Sequence, residues 1–209
     1  MDVLSFAITV ILVTASGALA PGPLFFANIA HGTRSGVKSG LVFSVAHTLV
    51  EFALVMLLAL GLLTVASKPI VKLVIGVIGG AVLIAFGISQ IHNSFRYKPA
   101  ELKRGTPSSR HLFLIGLAFT GLNPYFVIWW LTAGAQLIII SLEFAALAGV
   151  LFMYLCHVWM DYVWLTAVAH SARKGTNIMG LRWYRFLMVI FGGILTYFGL
   201  TFLIDGLAP

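Results

Sequence analysis

At 209 residues, 60% apolar and only 9% charged, with a mean hydropathy of +1.04, the chain is too apolar for a soluble domain, in which about a quarter of residues carry charge. A net charge of +7 would suggest nucleic acid or a membrane surface in a soluble protein, but here Lys and Arg lie between apolar stretches. They set orientation in a bilayer, and no nucleic-acid partner is expected. The single cysteine, Cys156, excludes an intrachain disulfide and a CxxC site, and reads as a small apolar core residue.

Six apolar stretches follow in order: Val3–Ala30, Leu41–Ala66, Leu73–Ile91, Leu112–Leu142, Phe144–Ala169 and Phe186–Ile204. Each can supply the ~20 helical residues that cross a bilayer core of ~30 Å. The first ends its apolar run with Gly17-Ala18-Leu19-Ala20, which resembles a signal-peptide cleavage site. No basic region precedes it and Pro21 would follow the cut, so a retained span is expected.

The first and fourth stretches are too long for one crossing: 28 and 31 residues would make rods of about 42 and 46 Å. Each holds a breaker, Pro21-Gly22-Pro23 in one and Gly121-Leu122-Asn123-Pro124 in the other. Proline removes a backbone donor and clashes with the preceding turn, so a continuous helix stops there. The same residue starts a new helix well after an Asn or Gly cap. Short helices beginning near Pro23 and Pro124 are expected, their N-termini aimed at a shared polar cavity that suits a substrate carboxylate. Such breaks are tolerated at membrane depth only against protein or a water-filled cavity.

The second and fifth stretches each carry a histidine followed four residues later by a carboxylate: His47 and Glu51, then His157 and Asp161. Helical spacing puts each pair on one face. Ionisable groups inside a membrane are expensive and are functional candidates by default. Glu51 and Asp161 are the candidates for proton or cation carriage; the bland reading is two structural ion pairs that fix helices. All four together would also make a plausible ligand set for a divalent metal. Trp164 is a candidate for cation–π contact with a substrate ammonium, whereas Trp129, Trp130 and Trp159 read as packing residues. Trp183 and Tyr184 beside Arg182 and Arg185 read as an interfacial anchor.

Eleven of the thirteen Lys and Arg fall in the connections after stretches one, three and five, leaving only Lys68 and Lys72 on the other side. That bias places those connections in the cytoplasm and both termini outside a cell membrane. The segment 96–111, with Pro99, Gly105 and Pro107, reads as a linker between two three-span halves, residues 1–95 and 112–209. Two further matches support duplication. The His/carboxylate pair recurs at an offset of 110, and Gly79-Gly80 with Phe86-Gly87 recurs as Gly192-Gly193 with Phe198-Gly199 at an offset of 112 to 113. The proline breaks match less well, at an offset near 102. With three spans per half the second copy must be inverted, so the expected fold is all-α: six transmembrane helices in two inverted repeats. The glycines themselves read as close helix packing.

Pro21-Gly22-Pro23, then Gly32-Thr-Arg34-Ser-Gly36, Asn123-Pro124, Asp161-xx-Trp164 and the Gly-rich ends of spans three and six together resemble the lysine-exporter (LysE/RhtB-type) family across nearly the whole chain. The resemblance implies a six-span exporter of amino acids or related small metabolites, driven by the membrane potential or a proton gradient. Leu24 stands where members often carry Asn, and Tyr125 where they often carry Lys, so no substrate is carried over. No HExxH, nucleophile-elbow or phosphate-loop motif is present, so neither an enzyme nor a cofactor is expected. The expected partners are a small-molecule substrate and the bilayer, with a homodimer left open.

Overall fold

The structure, a computed structural model, describes residues 2–19, 22–61, 69–96, 107–131, 133–178 and 181–207. Helix is the only regular structure among them: α1 (Val3–Ala18), α2 (Pro23–Ser35), α3 (Val37–Ala59), α4 (Pro69–Arg96), α5 (Ser109–Gly121), α6 (Pro124–Leu131), α7 (Ala133–Ile178) and α8 (Leu181–Leu207). Asp2 caps α1 by accepting the Ser5 amide at 2.9 Å, and Ser108 caps α5 by accepting the His111 amide at 3.2 Å. Each proline opens its helix at the first position, after Gly22 in α2 and after Asn123 in α6. The Asn123 side-chain carbonyl accepts the Tyr125 amide at 3.1 Å, so the cap supplies an acceptor for a first-turn amide, while proline has no N–H to satisfy.

Several expected connections are helical instead. α2 runs through Arg34 to Ser35, and one residue, Gly36, joins it to α3. Gly36 has φ 55° and ψ −138°, a conformation open to glycine and strained for other residues. The fourth and fifth stretches share α7, which is interrupted only at Ala145 and Ala146; Ala146 has φ 52° and ψ −139°. Past the expected end of the fifth stretch, α7 continues to Ile178 and carries Arg173 and Lys174. Arg and Lys are good helix formers, so leaving the apolar layer does not end a helix. At the linker, Ser109, Arg110 and His111 are already helical, and residues 97–106 lie outside the described residues.

Among the described residues, two runs qualify by length and composition to cross a membrane: Val37–Ala59 and Tyr125–Gly175. The breaks explain why α1 and α2 do not. At 16 and 13 residues they rise about 24 and 20 Å, short of a ~30 Å core. Leu12, Leu155, Phe95, Tyr197 and Ile204 all stand exposed, an outward apolar surface of the kind that lipid solvates.

The residues 147–178 of α7 form the centre. Against this arm pack α1, α2 and α3, and α3 is held on its other side by α5. Small residues bring the backbones together. A Cβ at Gly40 would lie 2.7 Å from the Leu165 carbonyl oxygen, one at Gly32 2.8 Å from Ala169 Cα, and one at Gly116 2.7 Å from Ala46 Cβ. Two of the buried clusters bracket the middle of α3 and α7. One gathers Phe6, Val10, Val55, Trp130 and Met153; the other gathers Phe43, Leu112 and Leu165. On α3 the pair His47 and Glu51, and on α7 the pair His157 and Asp161, lie between these two apolar layers. α4 and α8 pack against each other as an antiparallel pair, and Leu195 of α8 joins Phe26 and Phe119 in a further buried cluster.

Candidate functional site

His47 and Glu51 face α7 from one side, and His157 and Asp161 face α3 from the other. Glu51 is 2% exposed, His157 3% and Asp161 5%. His157 Nε2 lies 2.9 Å from Glu51 Oε1 and 3.5 Å from Asp161 Oδ2. His47 Nε2 lies 3.3 Å from Glu51 Oε1 and 4.0 Å from Asp161 Oδ2. The four groups therefore form one cluster across the helix contact. The indole of Trp130 donates to the same Glu51 Oε1 at 3.2 Å. Glu51 Oε2 and Asp161 Oδ2 are buried with no hydrogen-bond partner, which leaves acceptor capacity for an incoming ammonium, proton or water.

Each imidazole is held from behind by a threonine of the other half of the chain. Thr14 of α1 bonds His157 Nδ1 at 2.9 Å, and Thr120 of α5 bonds His47 Nδ1 at 3.1 Å. With Nδ1 engaged, each ring keeps Nε2 directed at the carboxylates, the usual way an outer partner fixes imidazole orientation.

A cavity of about 460 Å³ opens onto this cluster. Phe25, Phe126, Trp129 and Trp164 form much of its wall. Trp164 lies parallel to Phe25 with ring centroids 6.0 Å apart, and its indole N–H is buried without a hydrogen-bond partner. Trp129 sits against Gly17, where a Cβ would come within 2.7 Å of the ring. Both helix breaks reach the cavity: Gly22 and Asn123 line it, and a Cβ at Gly22 would stand 3.9 Å from Asn123 Nδ2.

The structure thus brings His47, Glu51, His157, Asp161 and Trp164 together with Gly22 and Asn123. Pro23 and Pro124 start the helices that flank the breaks, while Pro21 lies outside the described residues. For a metal, His47, Glu51 and Asp161 each offer one ligand atom within 4.8 Å of the others. Trp129 and Trp130 line the cavity rather than merely packing. Trp159 is 46% exposed and points away, its indole bonded to the Cys156 carbonyl at 2.8 Å. Sequence reasoning passed over Thr14 and Thr120. Thr120 is the one threonine between Leu112 and Pro124, but Thr9 and Ser16 flank Thr14, so no local signal singles that residue out.

A family model described as LysE type translocator matches residues 15–206. The curated protein named "Putative amino acid efflux protein YcgF", from Bacillus subtilis (strain 168), is similar, with 25% identity over 187 residues that cover 89% of this chain and 89% of the relative. No solved structure matches the chain.

Proposed function

The chain belongs to the LysE type translocator family and is a membrane protein, and from that premise we propose that it exports amino acids or related small metabolites, with protons or the membrane potential as the driving force. The observation that carries this reading is the buried cluster of two imidazoles and two carboxylates at the cavity between α3 and α7. In this reading the substrate ammonium takes Glu51 Oε2 and Asp161 Oδ2, which hold no hydrogen bond, and competes with the histidines at Asp161. Its carboxylate faces the amide groups opening α2, the Asn123 side chain and the Trp164 indole N–H. Carboxylates that exchange a proton for an ammonium tie substrate release to proton movement.

We further propose that residues 1–95 and 112–209 are inverted repeats giving six crossings, with 96–111 as the linker and both termini outside. Gly36 and Ala146 support this: they stand 110 residues apart, the His47-to-His157 offset, and share nearly the same φ and ψ. The offset near 102 between the proline breaks is then an insertion of eight or nine residues between Pro124 and Ala146. The glycine seam of α4 and α8 supports it as well. A Cβ at Gly80 would meet the Gly199 carbonyl oxygen at 2.6 Å, and one at Gly199 the Gly80 oxygen at 2.7 Å. Gly87 and Gly192 repeat that reciprocal contact at 2.5 and 2.7 Å. A two-fold axis between antiparallel helices produces such reciprocity.

Within a symmetric frame the site is lopsided: His157–Glu51 is short at 2.9 Å and His47–Asp161 long at 4.0 Å. Exchange of those two lengths is the expected difference between the inward- and outward-open forms.

A divalent cation is the second reading, resting on the triangle of His47, Glu51 and Asp161. Counterflow in proteoliposomes, with amino acids and divalent metals, each with and without a pH gradient, separates the two. Amino-acid uptake accelerated by the gradient is expected. Movement of metal alone would install the second reading, and movement of neither would remove both.

A further inference from the structure

The joint between α2 and α3 has features that transport does not use. Because Gly36 connects the two helices without a loop, the first amide groups of α3, at Val37 and Lys38, have no acceptor within the helix. They form the positive end of a 23-residue helix. In front of them is a second cavity of about 460 Å³, lined by Ser35, Val37, Lys38, His170, Arg173 and Lys174. No carboxylate is among these lining residues. Ser35 is 3% exposed, and its hydroxyl has no hydrogen-bond partner. The missing side chain at Gly36 gives Arg173 room to cross the joint, since a Cβ there would lie 2.6 Å from Arg173 Cδ.

We propose that this joint is a phosphate-binding site, distinct from the aromatic cavity and independent of the transport reading. Two lysines, an arginine, an orphaned hydroxyl and helix-opening amides supply donors from several directions, which suits a tetrahedral oxyanion. The break alone does not create the cluster. Ala146 repeats the same backbone conformation, yet no Lys or Arg occurs between residues 111 and 172, and Glu143 lies just before it. A general excess of positive charge on one side of the membrane accounts for lysines there, but not for a buried hydroxyl without a partner.

The phosphate can come from a phospholipid headgroup or from solution, and the test separates the two. The purified full-length protein, in neutral detergent at constant ionic strength, is titrated with dihexanoylphosphatidylglycerol and separately with inorganic phosphate, following the thermal unfolding midpoint. Saturable stabilisation is expected. Lipid alone saturating identifies a headgroup site; both saturating identifies a site for phosphate itself. The double substitution Lys38→Gln/Lys174→Gln should weaken the affinity about thirtyfold, from the loss of two near-surface cations. Ser35→Ala should weaken it several-fold while preserving the packing around the joint, which covers the case that the double variant does not fold. Arg182→Gln, an exposed basic position outside the cavity, should change nothing. Absence of saturation with either ligand, or equal weakening by Arg182→Gln and the double variant, overturns the site.

Discussion

The contact between α3 and α7 and the contact between α4 and α8 are built from opposite materials. In the first, imidazoles and carboxylates meet across the interface in a buried layer flanked by apolar clusters. In the second, backbone meets backbone through Gly80, Gly87, Gly192 and Gly199. A buried charge left without its partner costs about 3–5 kcal/mol, so the first contact opens only when proton, substrate or water replaces what is lost. The second has no partner to exchange. Its close van der Waals fit depends on the absence of side chains. On the transport reading proposed above, chemistry and rearrangement belong to the contact of α3 and α7, while α4 and α8 keep a contact fixed by shape.

The largest expected effect lies at the polar contact. Glu51→Gln keeps the shape but removes the charge on which His157, His47 and Trp130 converge. Proton-driven export should fall to background, while substrate-for-substrate exchange persists because that half-cycle moves no proton. Asp161→Asn should act in the same direction. Flux driven by an imposed pH gradient measures both, and undiminished flux in Glu51→Gln would remove the contrast at its polar end.

Next comes the seam. Gly87→Val adds branched carbon where a single Cβ would already stand 2.5 Å from the Gly192 carbonyl oxygen. Overpacking of this kind should cost up to about 3 kcal/mol, read as a lower thermal midpoint. Gly193→Val is the control, because a Cβ there meets nothing within 4 Å. An equal loss at both positions would mean that the seam is not what sets the packing.

The two histidines sharpen the comparison further. His157 is the deeper and has hydrogen bonds at both nitrogens, 2.9 Å to Thr14 and 2.9 Å to Glu51. His47 has a 13% exposed side chain and sits 3.3 Å from Glu51. His157→Asn should therefore destabilise by about 2–3 kcal/mol and His47→Asn by roughly half that, as expected for buried hydrogen bonds lost to charged and neutral partners. The reverse order in thermal unfolding would contradict the observed asymmetry.

The smallest effect is expected at the two helix joints. Ala146 holds a positive φ of 52°, strain worth about 1–3 kcal/mol that glycine would relieve, less the roughly 0.5–1 kcal/mol entropic penalty of glycine itself. Ala146→Gly should raise stability by about 1 kcal/mol, and Gly36→Ala should lower it.

Several features were legible in the residues alone because their signals are local. Two charged pairs stand out from apolar stretches, each pair has helical spacing, and prolines announce the helix starts at Pro23 and Pro124. The order of Pro-Gly-Pro, Asn-Pro and the glycine-rich ends likewise pointed to the translocator family, which the match over residues 15–206 then showed. Tertiary structure alone decided which groups meet. Thr14 reaches His157 from 143 residues away, Thr120 reaches His47 from 73, and Trp130 reaches Glu51 from 79. No periodicity within one helix encodes such partners, because they depend on how neighbouring helices cross. The joints obey the same limit. In sequence Gly36 lies in an expected connection, and only the abutting of α2 and α3 makes it a joint; at Ala146 neither glycine nor proline marks the turn. Around Ala146, a Cβ at Gly149 would run into the Ser141 carbonyl oxygen, so the chain folds back on itself more tightly than any side chain there allows. Local chemistry chose the helices and their charged faces; the crossing of those helices chose the hydrogen-bond partners, because a buried polar group must take whichever partner packing brings within reach.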